Sequence, residues 1–299
     1  MGLLPTGLKG KADTSCRRNV ISPSRRPLYL DAMRPILLLS ALWLAAVPPA
    51  ARAFSPEEVM SGQLRPGWQL PDGGHMTALH IALAPGWKTY WRSPGDAGIP
   101  PMFDWSGSEN LAKVQFHWPR PHVFHLNGLQ TVGYKGELVL PIEVTPVDTA
   151  RPVRLKGSVD LGVCDDICLP ATLPFDLLVD GPGAPDPVID AALADRPILA
   201  ARAGLRSIGC TVDPIDDGLR LTALLDLPPA GEQEVVVFET GTPGIWVSEA
   251  ETARHGAALT ASVEMVPPHG APFALDRSAV TVTVISESRA VEIRGCPAP

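Results

Sequence analysis

Apolar residues recur at every second position through most of this chain, and few stretches repeat at the spacing of a helix. Leu79, Ile81 and Leu83 form one such set, and Val114, Phe116 and Trp118 a second. Leu138, Leu140, Ile142 and Val144 form a third; Val153, Leu155, Val159, Leu161 and Val163 a fourth; Leu173, Phe175, Leu177 and Val179 a fifth. A period of two places these side chains on one face of a strand. Pro141 falls on the opposite face of the third set, where a residue without an N–H predicts an edge strand or a bulge.

Between residues 181 and 204 the alternation lapses. The stretch "GPGAPDP" reads as a linker, and Asp186-Pro187 as an N-cap followed by proline at the first helical position. A short helix is predicted over residues 188–194, interrupted near Pro197. Alternation then resumes at Leu219, Leu221, Ala223 and Leu225, in the run 235–238, and at Leu259, Ala261, Val263 and Met265. Val280, Val282 and Val284, then Val291 and Ile293, complete it. Short strands broken by proline and glycine turns predict an all-β protein of two β-sandwich domains, residues 54–180 and 205–299, joined by a short helical linker at 181–204. The two halves share no obvious sequence repeat.

The amino end does not fit this pattern. Met33-Arg34, an apolar run from Ile36 to Val47 and the triplet Ala51-Arg52-Ala53 predict a secretory signal peptide cleaved after Ala53. The run is short for a bilayer span. Upstream, "SPSRRPLYL" is faintly similar to a twin-arginine signal; the plainer reading is that translation starts at Met33 and residues 1–32 are not made. Nothing after Ala53 has the apolar length of a transmembrane helix, so an exported, soluble product is expected. Residues 1–53 hold eight of the 25 basic and two of the 32 acidic residues, which leaves 17 against 30 and a net charge of −13. No basic patch remains to suggest nucleic acid as a partner.

Cys16 lies ahead of the signal and leaves Cys164, Cys168, Cys210 and Cys296. An even number in an oxidising compartment predicts disulfides, and four cysteines allow three pairings. The local choice joins Cys164 to Cys168 and leaves Cys210 with Cys296. The second pair closes a long loop, which in the chain-entropy view stabilises by about 4 kcal/mol, and it reads as structural. The first pair, in "GVCDDICLP", encloses three residues and gains the least, and short-loop disulfides are the more labile ones. With Val159, Leu161 and Val163 facing the core, parity turns Cys164 away from it, onto an accessible surface. Asp165 and Asp166 would raise a neighbouring thiol's pKa and lower its thiolate fraction, which suits a pair that reacts inside a docked partner. Two thiolates also supply half of a zinc or copper(I) site, with His117, His122 and His125 of "HWPRPHVFH" as further candidates, though their spacing is irregular and proline-broken. On the residues alone, staple, metal clip and redox pair all stay open.

Four blocks in fixed order narrow the choice: "PGWKTYWRSPGDAGIPPMFDW", "WPRPHVF", "VGYKGELVLPIEV" and "VDLGVCDDICLP". Together they resemble the amino-terminal periplasmic domain of the thiol:disulfide interchange protein DsbD, in the branch found in the copper-tolerance protein ScsB, over roughly residues 66–179. The resemblance implies an immunoglobulin-like sandwich and a protein-disulfide reductase activity that needs no cofactor or metal. Cys164 and Cys168 would take electrons from a membrane-embedded thiol donor and pass them to periplasmic thioredoxin-fold proteins, with Cys168 facing the partner. By block order Tyr134, between Gly133 and Gly136, corresponds to an aromatic cap on a mobile loop. Trp87, Tyr90 and Trp91 are too many aromatics for one sandwich face to bury and are expected to form an exposed docking surface. Full-length members continue into a membrane-spanning carrier and a thioredoxin-like domain; the sequence after Ala53 shows neither, so the donor is expected on a separate chain. The cysteine spacing is also shorter than in the best-known DsbD branch. A non-catalytic binding module and a periplasmic copper-binding protein are the rival readings.

Overall fold

The computed structural model describes residues 55–126 and 128–299. The signal peptide, its cleavage site and Cys16 lie outside the described residues.

A first turn, α1 (Pro56–Val59), leads into β1 (Met60–Gln69), β2 (His75–Leu83) and the short β3 (Lys88–Tyr90) and β4 (Met102–Asp104). There follow β5 (Leu111–Phe116), β6 (His122–Leu126), β7 (Leu129–Lys135), β8 (Glu137–Pro146), β9 (Val153–Cys164) and β10 (Cys168–Val179). One sheet runs β1-β2-β8-β5; the other runs β10-β9-β3-β7-β6, with β4 paired to β9. The alternating sets meet between them. Leu79, Ile81, Leu140, Ile142 and Val144 of the first sheet pack against Val153, Leu155, Val159 and Val163 of the second, the arrangement that period two dictates when each strand has one dry face.

Pro141 corrects the edge-strand expectation. It lies in β8, which is central, between β2 and β5. Its carbonyl accepts from His117 N–H at 2.9 Å, one residue beyond the last β5 pair, Phe116 with Ile142. Pro141 thus keeps its one available bond on that side, at the residue where β5 stops.

Residues 187–294 add α2 (Pro187–Ala194), β11 (Ile198–Leu199), α3 (Ala200–Ala203), β12 (Ser207–Ile215), β13 (Gly218–Asp226) and β14 (Val235–Glu239). They end with β15 (Trp246–Val247), β16 (Glu251–His255), β17 (Ala258–Val266), β18 (Thr281–Ile285) and β19 (Ala290–Arg294). One sheet runs β11-β19-β18-β14 and the other β12-β13-β17-β15, with β16 also on β17. A second apolar cluster fills the space between them, built on Leu221, Ala223, Leu225, Leu259, Val263, Val282, Val284 and Ile293.

Asp186 caps α2, its carboxylate accepting from Val188 N–H at 2.9 Å. Fully buried Ile189 packs on Met76 and Ala78, on the outer face of β2, while β11 joins the last sheet beside β19. The stretch between the sandwiches is therefore docked on both sides. Ile285 and Ala290 of the carboxy-terminal half also belong to the amino-terminal core cluster. Among the described residues, no helix is long and apolar enough to cross a membrane.

Candidate functional site

β9 and β10 form a hairpin whose register runs from Val153 with Val179 to Cys164 with Cys168. Asp165, Asp166 and Ile167 make the turn, closed by Asp165 N–H donating to Ile167 C=O at 3.0 Å. The two cysteines thus face each other at the hairpin mouth, Cα to Cα 4.1 Å, and are bonded as a disulfide. Gly86 approaches the turn so closely that a Cβ there would lie 2.8 Å from Asp165 Oδ2.

The two cysteines differ in exposure. Cys168 is exposed and Cys164 is 1% exposed. Parity from Val163 placed Cys164 on an accessible face; the structure corrects this, because residues 161–164 are buried on both faces. On one side lies the sandwich core. On the other, Tyr90 and Ile99 lie against Gly162, where a Cβ would come within 3.2 Å of the Tyr90 ring and 2.8 Å of Ile99 Cβ. At the strand's edge β3 adds its own coverage: Lys88 pairs with Cys164 and Thr89 with Val163, and Thr89 Oγ1 donates to Gly162 C=O at 3.0 Å. Glycine at 162 is what lets the covering residues approach.

Tyr90 is the aromatic that touches the disulfide. Its hydroxyl lies 3.7 Å from Cys168 Sγ. A disulfide sulfur carries no proton, so the phenol is the donor; burial raises its pKa above the ordinary value and keeps that proton in place.

Tyr134, expected on a hinge, sits in β7 opposite Thr89 and is buried. Its hydroxyl donates to Pro119 C=O at 2.9 Å, its ring stacks on Trp118, and burial holds its pKa well above the ordinary value. A residue paired in a ladder and bonded at its far end is a core element, which corrects the lid expectation. Trp87, Tyr90 and Trp91 are buried as well, Trp91 fully. Trp87 and Trp91 join the sandwich core and Tyr90 turns to the disulfide side, so two faces share the aromatics that one face could not hold. The exposed apolar residues at this end are Ile99, Met102 and Ile167, none of which the sequence singled out. The signal was there in Ile167, an apolar residue between two acids and a cysteine.

Cys210 and Cys296 are bonded and fully buried, joining β12 to the chain just after β19. His117 is tied into a chain of hydrogen bonds. The Arg196 guanidinium can only donate, so His117 Nδ1 accepts from it at 2.9 Å and Nε2–H donates to Glu143 at 2.9 Å. Among the described residues no three His, Cys, Asp or Glu side chains converge as a metal site.

Residues 57–180 match the family model described as thiol:disulfide interchange protein DsbD, N-terminal, a stretch that contains both hairpin cysteines. This match supports a thiol–disulfide interchange role for that part of the chain. The crystal structure of the N-terminal periplasmic domain of ScsB from Proteus mirabilis shares the fold, with a TM-score of 0.61 at 22% identity over 82% of this chain and 96% of that one. The DsbD n-terminal domain of Neisseria meningitidis in the reduced form aligns at a TM-score of 0.28 and 20% identity over 44% of this chain and 95% of that one. No curated protein matches the sequence.

Proposed function

We propose that the protein is a periplasmic electron relay that works through Cys164 and Cys168. The observation that carries this reading is the asymmetry of the pair, one cysteine exposed at a hairpin mouth and the other beneath a covering layer. A partner thiolate reaches Cys168 Sγ. The new S–S bond forms there as the old one breaks, and its electron pair goes to Cys164, which takes up a proton. The partner's second thiol resolves the mixed disulfide and leaves both cysteines reduced. In the forward half, Cys168 thiolate attacks an acceptor's disulfide and Cys164 resolves it. The two sulfurs carry the two electrons, so no cofactor enters.

The donor in this reading is a membrane-embedded thiol protein on a separate chain, and the acceptors are thioredoxin-fold proteins. Export would follow cleavage after Ala53, with residues 54–180 as the redox domain, 181–204 as the linker and 205–299 as the second sandwich. The exposed Ile99, Met102 and Ile167 form an apolar rim for the partner. Trapping in cells tests the proposal. Cys164→Ser leaves the exposed sulfur and should accumulate mixed disulfides with donor and acceptor. Cys168→Ser leaves the covered one and should trap about tenfold less, since exchange rate follows access. Neither variant trapping any protein would leave a plain binding module.

A further inference from the structure

Residues 91–101, between β3 and β4, supply part of the cover beside the disulfide: the segment follows Tyr90, whose hydroxyl lies on Cys168 Sγ, and lays Ile99 over Gly162. Its first turn is strapped to β7, Trp91 N–H donating to Val132 C=O at 3.0 Å and Val132 N–H to Pro94 C=O at 2.9 Å. What lies between these straps is Arg92, and its partners are in the other half of the chain. Arg92 Nε donates to Glu239 Oε1 at 2.8 Å, and Nη2 donates to Glu239 Oε2 at 2.9 Å and Glu292 Oε2 at 3.1 Å. Its guanidinium stacks on Trp91, 4.4 Å from the ring centroid.

Glu239 ends β14 and Glu292 lies in β19, the two strands that flank β18, so the two carboxylates reach Arg92 from opposite sides of one strand. Burial works against the charge on Arg92, and the bonds and charges of Glu239 and Glu292 outweigh it, leaving its pKa above the ordinary value. A two-pronged guanidinium–carboxylate pair fixes orientation as well as position.

We propose that Arg92, held by Glu239 and Glu292, is a positioning residue through which the carboxy-terminal sandwich keeps residues 91–101 closed over Cys164–Cys168 and so sets how fast that bond exchanges. The proposal rests on the exchange reading above. Removing Arg92 leaves two carboxylates facing an emptied site; removing their charges leaves a half-buried cation without a counter-charge. Both routes free the same segment.

The test is the rate at which dithiothreitol reduces Cys164–Cys168 in the oxidised full exported chain, read beside the melting temperature. Arg92→Ala and the isosteric double variant Glu239→Gln with Glu292→Gln should each be reduced at least fivefold faster than wild type. Arg92→Lys, which keeps the charge and loses the fork, should fall between. Arg294→Ala removes an exposed neighbour that also pairs with Glu292 and should keep the wild-type rate. Should Arg92→Ala fail to fold, the double glutamine variant carries the test. A merely structural role would lower the melting temperature and leave the rate alone. Equal rates across wild type and variants overturn the inference and leave the exchange reading standing; a bond that resists dithiothreitol in all of them overturns both.

Discussion

Tyr134 and Tyr90 are both buried aromatics one strand apart, yet their hydroxyls do different things: one closes the core on Pro119 C=O, the other lies on Cys168 Sγ. Truncating Tyr134 empties a ring site stacked on Trp118, so Tyr134→Ala should cost about 3–5 kcal/mol of stability. Tyr134→Phe strands the buried Pro119 carbonyl and should cost about 1–3 kcal/mol. Denaturant midpoints check both; an unchanged midpoint with faster reduction of Cys164–Cys168 would return Tyr134 to the lid role. The cysteine pairing was legible from spacing because the short loop allows so few geometries. The burial of Cys164 was not, because its cover comes from Tyr90 and Ile99, far earlier in the chain. Block order pointed at Tyr134 for the same reason: order along a sequence does not say which ring reaches a sulfur.

At the scale of elements, period two located the strands well, since each of the sets around Leu79, Leu140, Leu161, Leu221 and Val263 does line a core. It could not order them, and Pro141 shows why: a strand that carries a proline still lies between two neighbours. The helix α2 was legible from its cap. Arg65 donates to Asp186 at 2.7 Å, and that bond, followed by the Val188 N–H, holds the Asp186 carboxyl below the usual range. A depressed folded-state pKa means stability that is present above the unfolded value of about 3.9 and is lost as the pH falls through the lower folded value. Asp186→Ala should therefore lose about 1 kcal/mol at pH 7, with the deficit narrowing at pH 3. Chemical denaturation at the two pH values reads it, and an equal deficit at both would show that the charge of Asp186 is not what holds α2.

Across the whole molecule, two dry cores are joined by Ile285 and Ala290, by Gln130 N–H donating to Glu249 at 2.9 Å, and by the Arg92 cluster. None of these contacts was legible in the sequence. Arg92 lies 147 residues from Glu239 and 200 from Glu292, and nothing local marks any of the three as a partner of the others. The two disulfides divide along the same line. Cys210–Cys296 is sealed within the second core and ties that sandwich together, so opening it requires the sandwich to open. Cys164–Cys168 has one exposed cysteine at a hairpin end and ties together only two strands already paired. The most direct measurement is a mass-spectrometric thiol count on the native, oxidised protein after treatment with a mild thioredoxin-type reducing system. Two free thiols, at Cys164 and Cys168, with Cys210–Cys296 still closed, is the result expected; four free thiols, or none, would contradict it.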